Sequence, residues 1–503
     1  MCVAQSMGFV CARTEEPRAP RRARRREIAT AMRAGASSSR ASSSSRTTRA
    51  TTTTRATRRR ERRRVKCAPD ADVRRERGRD IRVTTTTFYR DESAQGRDLG
   101  VLAALTTRRR LEVLDATCAS GARAARYAEA GVLKSMHAND VNADVEDVVR
   151  ENLAELLSPA SEVDVKLTFD DAQRVFARAW LEKTFYDFVD VDGFGAANFG
   201  DALKCVRYGG LFYATSTDAR ALCGQNPETL SRAFGNAVVA PSRPGVNEIA
   251  LRVFIGDVVR RGAAIGISAT PLFSLFHPHG PVFRVMFRVE KARGGAYDAF
   301  ASNRDAAMGF VGFCDRCGDT SVVRAPLIDV YGHTKTIAPG DADATTTQCA
   351  RCRGQGSAED DRSAALAISG PLWLRSLHDR DTVLAMIEAA DAQGWFDDDD
   401  ESDSGPAKGQ LSLRDLLDAF VGEADAGLER TPHHLRTDEL GRKGRAKRVP
   451  PRDVLITALR AEGFAAARSH IDPRGLKTNA TMADVVACAN RVCEAIDELE
   501  GRA

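Results

Sequence analysis

Residues 111–140, LEVLDATCASGARAARYAEAGVLKSMHAND, carry the side chains whose types and order can do chemistry. An apolar run, Leu111–Leu114, passes through Asp115 into a turn of small residues that ends at Gly121. An amphipathic segment follows, and then a second apolar run that ends at Asp140. A strand, a glycine-bearing turn, a helix and a carboxylate about 20 residues on is the layout of a site for a nucleoside cofactor. Gly121 lets the backbone approach a ligand closely, and Asp140 is placed to accept hydrogen bonds from ribose hydroxyls. The turn lacks the full G-x-G-x-x-G of a pyrophosphate site. A methyl donor such as S-adenosylmethionine has no pyrophosphate and needs only one close approach. A βαβ unit without a ligand has the same local pattern.

Further acids fall at the ends of later apolar runs. VDVKLTF leads to Asp170, Asp171 and Ala172, and an acid with a small residue suits an adenine amino group in the crevice at the carboxyl ends of parallel strands. YDFVDVDGFG carries Asp190 and Asp192 into a turn with Phe194. On pattern alone this stretch reads equally well as a strand end with a solvated carboxylate and a packed ring. CDRC at 314–317 and CARC at 349–352 place Cys314, Cys317, Cys349 and Cys352 as two knuckles, four thiolates able to close a tetrahedral zinc site. A closed thiolate set implies a structural metal, not a catalytic one.

The elements that must position these residues alternate strand and helix from 111 to 216, which predicts a parallel sheet with both faces covered. VEDVVRENLAELL and residues 247–262 have helical apolar spacing, and Gly209-Gly210 reads as a stop before the strand LFYATSTD. Runs at 264–276 and 282–289, joined by the hairpin-like HPHGP, close this part of the chain. SGPLWLRSLHDRDTV restarts order after the knuckles, and DDDDESDSGPAKG is an acidic insert. Three more helical patterns, LSLRDLLDAF, PPRDVLITALRAEGF and MADVVACANRV, make a C-terminal module. The expected domains are 1–69, 70–300, 301–410 and 411–503.

Charge separates these parts. Residues 1–69 hold 19 of the 74 Lys+Arg but 4 of the 69 acids, so the formal +5 belongs to the leader and the remainder is net −10. The leader is rich in Arg, Ser, Thr and Ala. It reads as an organelle transit peptide, chloroplast before mitochondrion, with a retained basic arm as the alternative. Twelve scattered cysteines argue against a secreted disulfide framework, and no apolar run is long enough to span a membrane. Between Arg430 and Asn479, 12 basic residues face 5 acids. That local basic surface, with Lys443, Arg445, Lys447, Arg448 and Lys477 as phosphate contacts, suits a small winged-helix-like RNA-binding domain. A helical dimerisation module is the other reading.

Taken together, FYRDESAQGRDLGVL, DATCASGARAARYA, HANDVNADVEDVVRENL, FDDA, FVDVDGFGAANFGDALKCVRYGGLFYATSTD, the two C-x-x-C pairs, GPLWLRSLHD and HIDPRGLKTNA resemble the tRNA guanine-26 N2-dimethyltransferase family from about Phe88 to Ala489. The resemblance implies an α/β class I (Rossmann-like) methyltransferase domain, a zinc-knuckle region and the C-terminal RNA-binding domain. It further implies S-adenosylmethionine as donor and the exocyclic N2 amine of a tRNA guanine as acceptor; zinc as structural metal follows from the knuckles themselves, and no protein partner is legible. Arg97, which by itself reads as a helix-start residue, matches a cofactor-binding arginine. Arg123 matches the arginine of the glycine turn, Asp140 the ribose carboxylate, and Asp171 with Ala172 the pair beside adenine. Asp192 then becomes the group that accepts a proton or hydrogen bond from the target amine, and Phe194 a face for an extruded base. The chain departs from the family at Arg90-Asp91, where Asn-Pro is usual, and at Gly193, where proline is usual.

Overall fold

The computed structural model describes residues 72–499, apart from 194–198, 236–238, 240, 242, 279, 293–306, 324–347, 354–364 and 397–409. The expected leader 1–69 and Phe194 thus lie outside the described residues.

The chain enters through a hairpin, β1 (Asp72–Glu76) and β2 (Arg79–Val83). Its two-residue turn, Arg77-Gly78, has φ of 47° and 82°, the left-handed pair that a type I′ turn requires. This hairpin was not expected, because a segment so dense in charge shows no apolar alternation. Next come α1 (Ala94–Thr106), β3 (Leu111–Asp115), α2 (Ala122–Glu129), β4 (Leu133–Asn139), α3 (Glu146–Asn152), β5 (Asp164–Thr168), α4 (Ala172–Leu181) and β6 (Tyr186–Val191). They are followed by α5 (Phe199–Leu203), β7 (Val206–Ser216), α6 (Ala219–Leu222), α7 (Pro227–Phe234), α8 (Val246–Ala264), β8 (Ile267–His277) and β9 (Val282–Lys291).

One sheet joins seven of these strands in the order β5-β4-β3-β6-β7-β9-β8. The first five are parallel, and every residue of β6 is buried, as expected where helices cover both faces. The sheet is not parallel throughout: β9 runs antiparallel to β7 and to β8. Only residues 278–281 connect β8 to β9, and a parallel pair would need a crossover of a dozen residues or more. Gly209 and Gly210 do not stop a helix but lie within β7, at a register shift against β6. A Cβ on Gly210 would sit 2.6 Å from the Asp187 carbonyl oxygen, so the close approach of the two strands excludes a side chain there.

Sequence order reverses at β3, with β4 and β5 on one side and β6 and β7 on the other. Ligands of open α/β sheets bind at such a switch, beyond the carboxyl ends of the strands. Here Asp115 and Asp190 face each other in register at that point.

Beyond the sheet, β10 (Met308–Cys314) pairs antiparallel with β11 (Thr320–Val323) and β12 (Leu366–Trp373). Two helices, α9 (Arg380–Ala392) and α10 (Leu413–Glu423), then return to the body built on the seven-stranded sheet. Leu416, Leu417 and Phe420 of α10 share a core with Leu99, Leu102 and Phe273, and Phe420 stacks on Phe273 at 6.3 Å. The boundary expected at 411 is therefore corrected, because α10 shares the core of the seven-stranded body. A separate C-terminal core begins at Leu435 and includes Leu440, Leu455, Leu459, Leu476 and Val485. It is built from β13 (Leu435–Arg436), α11 (Thr437–Arg442), α12 (Arg452–Ala461), β14 (Ala466–Arg468), β15 (Gly475–Thr478) and α13 (Met482–Leu499), with sheet order β13-β15-β14. Strand, two helices and a two-stranded return pairing in that order is a winged-helix arrangement.

A buried ionic hub joins this module to α8. Glu248, fully buried, lies 2.8 Å from Arg252 Nη2 and 2.8 Å from His434 Nδ1, and pairs with Lys477. Burial alone would raise the Glu248 pKa, but Lys477 and Arg252 outweigh it and hold the carboxylate ionised. Lys477, expected on a phosphate, is 1 % exposed and serves instead as a structural counter-ion.

Two buried histidines contribute to the acid sensitivity of the fold. His137 lies between Tyr186 Oη at 2.7 Å and Thr168 Oγ1 at 2.8 Å, and burial, helped by Lys166 and Arg178, lowers its pKa to about 4. Burial likewise lowers His378 to about 4, partly opposed by Glu423. Both are neutral when folded and take up a proton once unfolded, so stability present above about pH 6.5 is lost as pH falls through about 4. Melting temperatures measured from pH 7.5 to 4.5 should decline across that window, and His137→Gln should make the decline shallower.

Candidate active site

The crevice at the switch point is built from strand ends. Asp115 closes β3 and is fully buried. Its Oδ1 accepts the Thr117 N–H at 3.4 Å, while Oδ2 has no partner among the described residues. Burial, and then the neighbouring Asp190, push its pKa well above the ordinary carboxylate range. Gly121 follows at φ 78°, a left-handed conformation open to glycine at little cost, and it starts α2. Asp140, just past β4, accepts the Ala119 N–H at 2.8 Å and the Asn142 N–H at 2.9 Å, so it ties the glycine turn to the next loop. Asp171 caps α4 by accepting the Gln173 N–H at 2.7 Å, and Ala172 is the first residue of that helix.

Asn139 was not anticipated. It is fully buried and donates to the carbonyls of Ala116 and Asp170, each at 3.0 Å, while its oxygen accepts from Thr168 Oγ1 at 2.7 Å. One amide thus fixes the ends of β3, β4 and β5 relative to each other.

The two arginines matched to the cofactor are engaged with acids of the chain. Arg97 pairs with buried Glu76 of β1 through Nε at 2.9 Å and through Nη2, and also donates to the Arg90 carbonyl at 3.1 Å. Tyr89 Oη and Arg126 meet the same Glu76. Arg123 of α2 donates to Asp190 Oδ2 at 3.0 Å and pairs with Asp192. Tyr127 Oη also donates to Asp190, at 2.8 Å. Burial lifts the Asp190 pKa, and Arg123 opposes that rise.

Asp192 lies one residue past β6. Thr117 Oγ1 accepts its N–H at 3.0 Å, and Arg284 Nη1 of β9 stands 3.0 Å from its Oδ1. Burial would raise its pKa, but Arg123 and Arg284 outweigh that effect and hold the carboxylate well below the ordinary range. It is an anion at any working pH. Together with Phe88, Arg90, Ser93, Gly193, Thr217 and Arg284 it lines an open cavity of about 310 Å³. Phe88 is 50 % exposed at this cavity and carries the Arg90 guanidinium 5.6 Å from its ring centroid, so a flat apolar face and a fixed carboxylate share one space. Gly193 is not among the glycines with left-handed φ. Arg284 escaped the sequence reading, although an arginine inside the apolar strand VFRVMFRV is a visible signal.

The four cysteines come together. Cys314 and Cys352 Sγ are 3.9 Å apart, Cys317 and Cys349 Sγ are 3.6 Å apart, and all four are buried. A tetrahedral zinc with bonds of about 2.3 Å needs sulfurs about 3.8 Å apart, so the set fits that ion. Of the basic residues expected to meet RNA, Lys443 pairs with Asp315 beside the knuckle at 3.1 Å and Arg448 with Asp497 at 2.5 Å. Arg445 and Lys447 are exposed and pair with no acid among the described residues.

A seven-stranded α/β sheet with a glycine turn and strand-end acids at its switch point defines the class I methyltransferase type. The sequence profile of the N2,N2-dimethylguanosine tRNA methyltransferase family matches residues 67–490, and the chain belongs to that family. Among its relatives, the tRNA (guanine(26)-N(2))-dimethyltransferase of Methanospirillum hungatei is 28 % identical over 411 residues, 80 % of this chain and 92 % of that one. The enzyme of the same description from Pyrococcus abyssi is 26 % identical over 410 residues, 78 % and 90 % of the two chains. The human enzyme is 27 % identical over 396 residues, 76 % of this chain and 54 % of its own. The fold matches that of Trm1 from Pyrococcus horikoshii, solved in complex with S-adenosyl-L-methionine, with a TM-score of 0.63 and 21 % identity over 83 % of this chain and 99 % of that one.

Proposed function

We propose that this protein transfers methyl groups from S-adenosyl-L-methionine to the exocyclic N2 amine of a tRNA guanine, at position 26 and up to twice. The observation that carries the reading is Asp192, a carboxylate fixed by two arginines in the wall of an open cavity beside the switch point. The donor supplies an electrophilic methyl group on a sulfonium centre.

The chain supplies placement and charge. Gly121, Asp140, Asp171 and Ala172 belong to the strand ends where the nucleoside part fits, while Arg97 and Arg123, paired with Glu76, Asp190 and Asp192, hold the acids around that crevice in place. Asp115 belongs to the floor of the same crevice. A guanine N2 lone pair is delocalised into the ring and is a poor nucleophile. Asp192 accepts an amine hydrogen and draws the lone pair into line, while Phe88 offers a face to the extruded base. Low basicity at Asp192 is no obstacle, because an exocyclic amine that has just taken a methyl group is a stronger acid than a carboxylic acid. Purified protein with an unmodified tRNA transcript should yield N2-methylguanosine and then N2,N2-dimethylguanosine at position 26. Methylation of adenine or of ribosomal RNA instead would replace this reading.

Zinc, held by Cys314, Cys317, Cys349 and Cys352, is a structural metal in this reading. tRNA backbone contacts fall to Arg445 and Lys447, whose charges have no acidic partner among the described residues. The double variant Arg445→Ala/Lys447→Ala should lower the slope of log affinity against log salt by about 2, whereas Lys477→Ala should leave the slope alone and lower stability. Salt titrations of tRNA binding decide between them. The composition of residues 1–69 supports delivery to an organelle, the chloroplast first; amino-terminal sequencing of protein from isolated organelles tests it.

A further inference from the structure

Arg284 carries more hydrogen-bond donors than its surroundings use. It is 2 % exposed on β9, deep in the sheet, and its Nη1 meets Asp192 and, at 3.0 Å, Thr215 Oγ1. Its Nη2 reaches Ser93 Oγ only at 3.4 Å, and its Nε has no partner among the described residues. A guanidinium has five N–H donors, and a buried donor left unmatched costs about 1–3 kcal/mol. The fold also makes room for this side chain: a Cβ on Gly96 of α1 would lie 3.0 Å from both Cδ and Nε of Arg284. The same side chain lines the cavity that Asp192 and Phe88 border.

We infer that Arg284 reads the O6 carbonyl of the target guanine, side by side with Asp192 on the base's amine. The inference rests on the methyl-transfer reading and adds the determinant of base choice. The edge of guanine presents two donors, N1–H and the N2 amine, followed by one acceptor, O6. Asp192 and Arg284 present the complement in the same order: an acceptor carboxylate, each of whose oxygens keeps a lone pair beyond its arginine contact, and next to it a cation with donors to spare. Arg90 also borders the cavity, but it is exposed, lies against Gly280 and the Phe88 ring, and makes no ion pair with Asp192 among the described residues.

The test uses full-length protein and tRNA carrying either guanine or 6-thioguanine at the target position. The thio base keeps N1–H and the N2 amine but replaces O6 with a sulfur that accepts hydrogen bonds poorly. Wild type should methylate the thio base about 10–100-fold more slowly in single-turnover kcat/KM, the scale of one lost bond from a charged donor. In Arg284→Lys, which keeps a cation beside Asp192, guanine should fall toward the thio base and the ratio between the two toward one. Arg90→Ala should keep the wild-type ratio. Equal rates on the two bases in wild type, or an unchanged ratio in Arg284→Lys, would overturn the inference and leave Arg284 as a support for Asp192 alone. Failure of wild type to methylate guanine at all would instead strike the functional reading beneath it.

Discussion

Asp192→Asn should slow single-turnover methyl transfer by about a hundredfold or more, the scale set by loss of a positioned proton acceptor. The amide keeps the shape of the carboxylate and one acceptor oxygen but removes the charge. Arg123 retains Asp190 at 3.0 Å and Arg284 retains Thr215, so the strand ends stay where they are. Equilibrium binding of S-adenosyl-L-methionine should therefore change little. Because two guanidiniums keep the wild-type carboxylate ionised, its rate should also show no acid limb from this group between about pH 5 and 7. A variant of near-normal rate would mean that the amine is activated elsewhere, and the assignment of this turn would fall.

Cys349→Ser should remove the metal and lower the melting temperature by about 10 °C or more, since the binding energy of a structural zinc is folding energy. The effect should reach tRNA before it reaches the methyl donor. Asp315, between the first two cysteines, pairs with Arg243 at 2.7 Å and with Lys443 at 3.1 Å, and Asp319 accepts the Met482 N–H at 3.3 Å. The knuckle thus braces the C-terminal module against the chain before α8, far in sequence from the crevice. Metal analysis of wild type and variant, with both binding assays, checks this. Absence of zinc from carefully purified wild type would sink it.

The sequence made the crevice legible because its parts are local. A strand end, a glycine turn and a carboxylate within 30 residues form one βαβ unit, and Asp115, Gly121 and Asp140 come together without any distant contact. The same holds for each C-x-x-C pair. What stayed hidden depends on residues far apart. Arg284 meets Asp192 across three strands of the sheet, Glu76 meets Arg97 through an unexpected hairpin, and Asn139 binds three strand ends by its amide alone. Lys477 read as surface charge because basic neighbours surround it in sequence. Its partner Glu248 lies on α8, more than 200 residues earlier in the chain, and the pair is visible only once the two come together. Helices alternating with strands mark the parallel pairing up to β7, and the hairpin-like 277–281 marks β8 and β9 as an antiparallel pair; that β9 and not β8 returns beside β7 depends on packing alone.

The return of α9 and α10 to the catalytic body bears on how the chain is made. Leu99 and Phe273 await Val383, Met386 and Phe420, which complete their core, and Arg77 of the first hairpin bonds the Trp395 carbonyl at 2.9 Å. At synthesis rates of about 5–20 residues per second, the face formed by α1 stays uncovered for some tens of seconds after it leaves the ribosome. During that interval its apolar surface is open to wrong partners, and a chain cut before residue 380 would lack both helices that cover it.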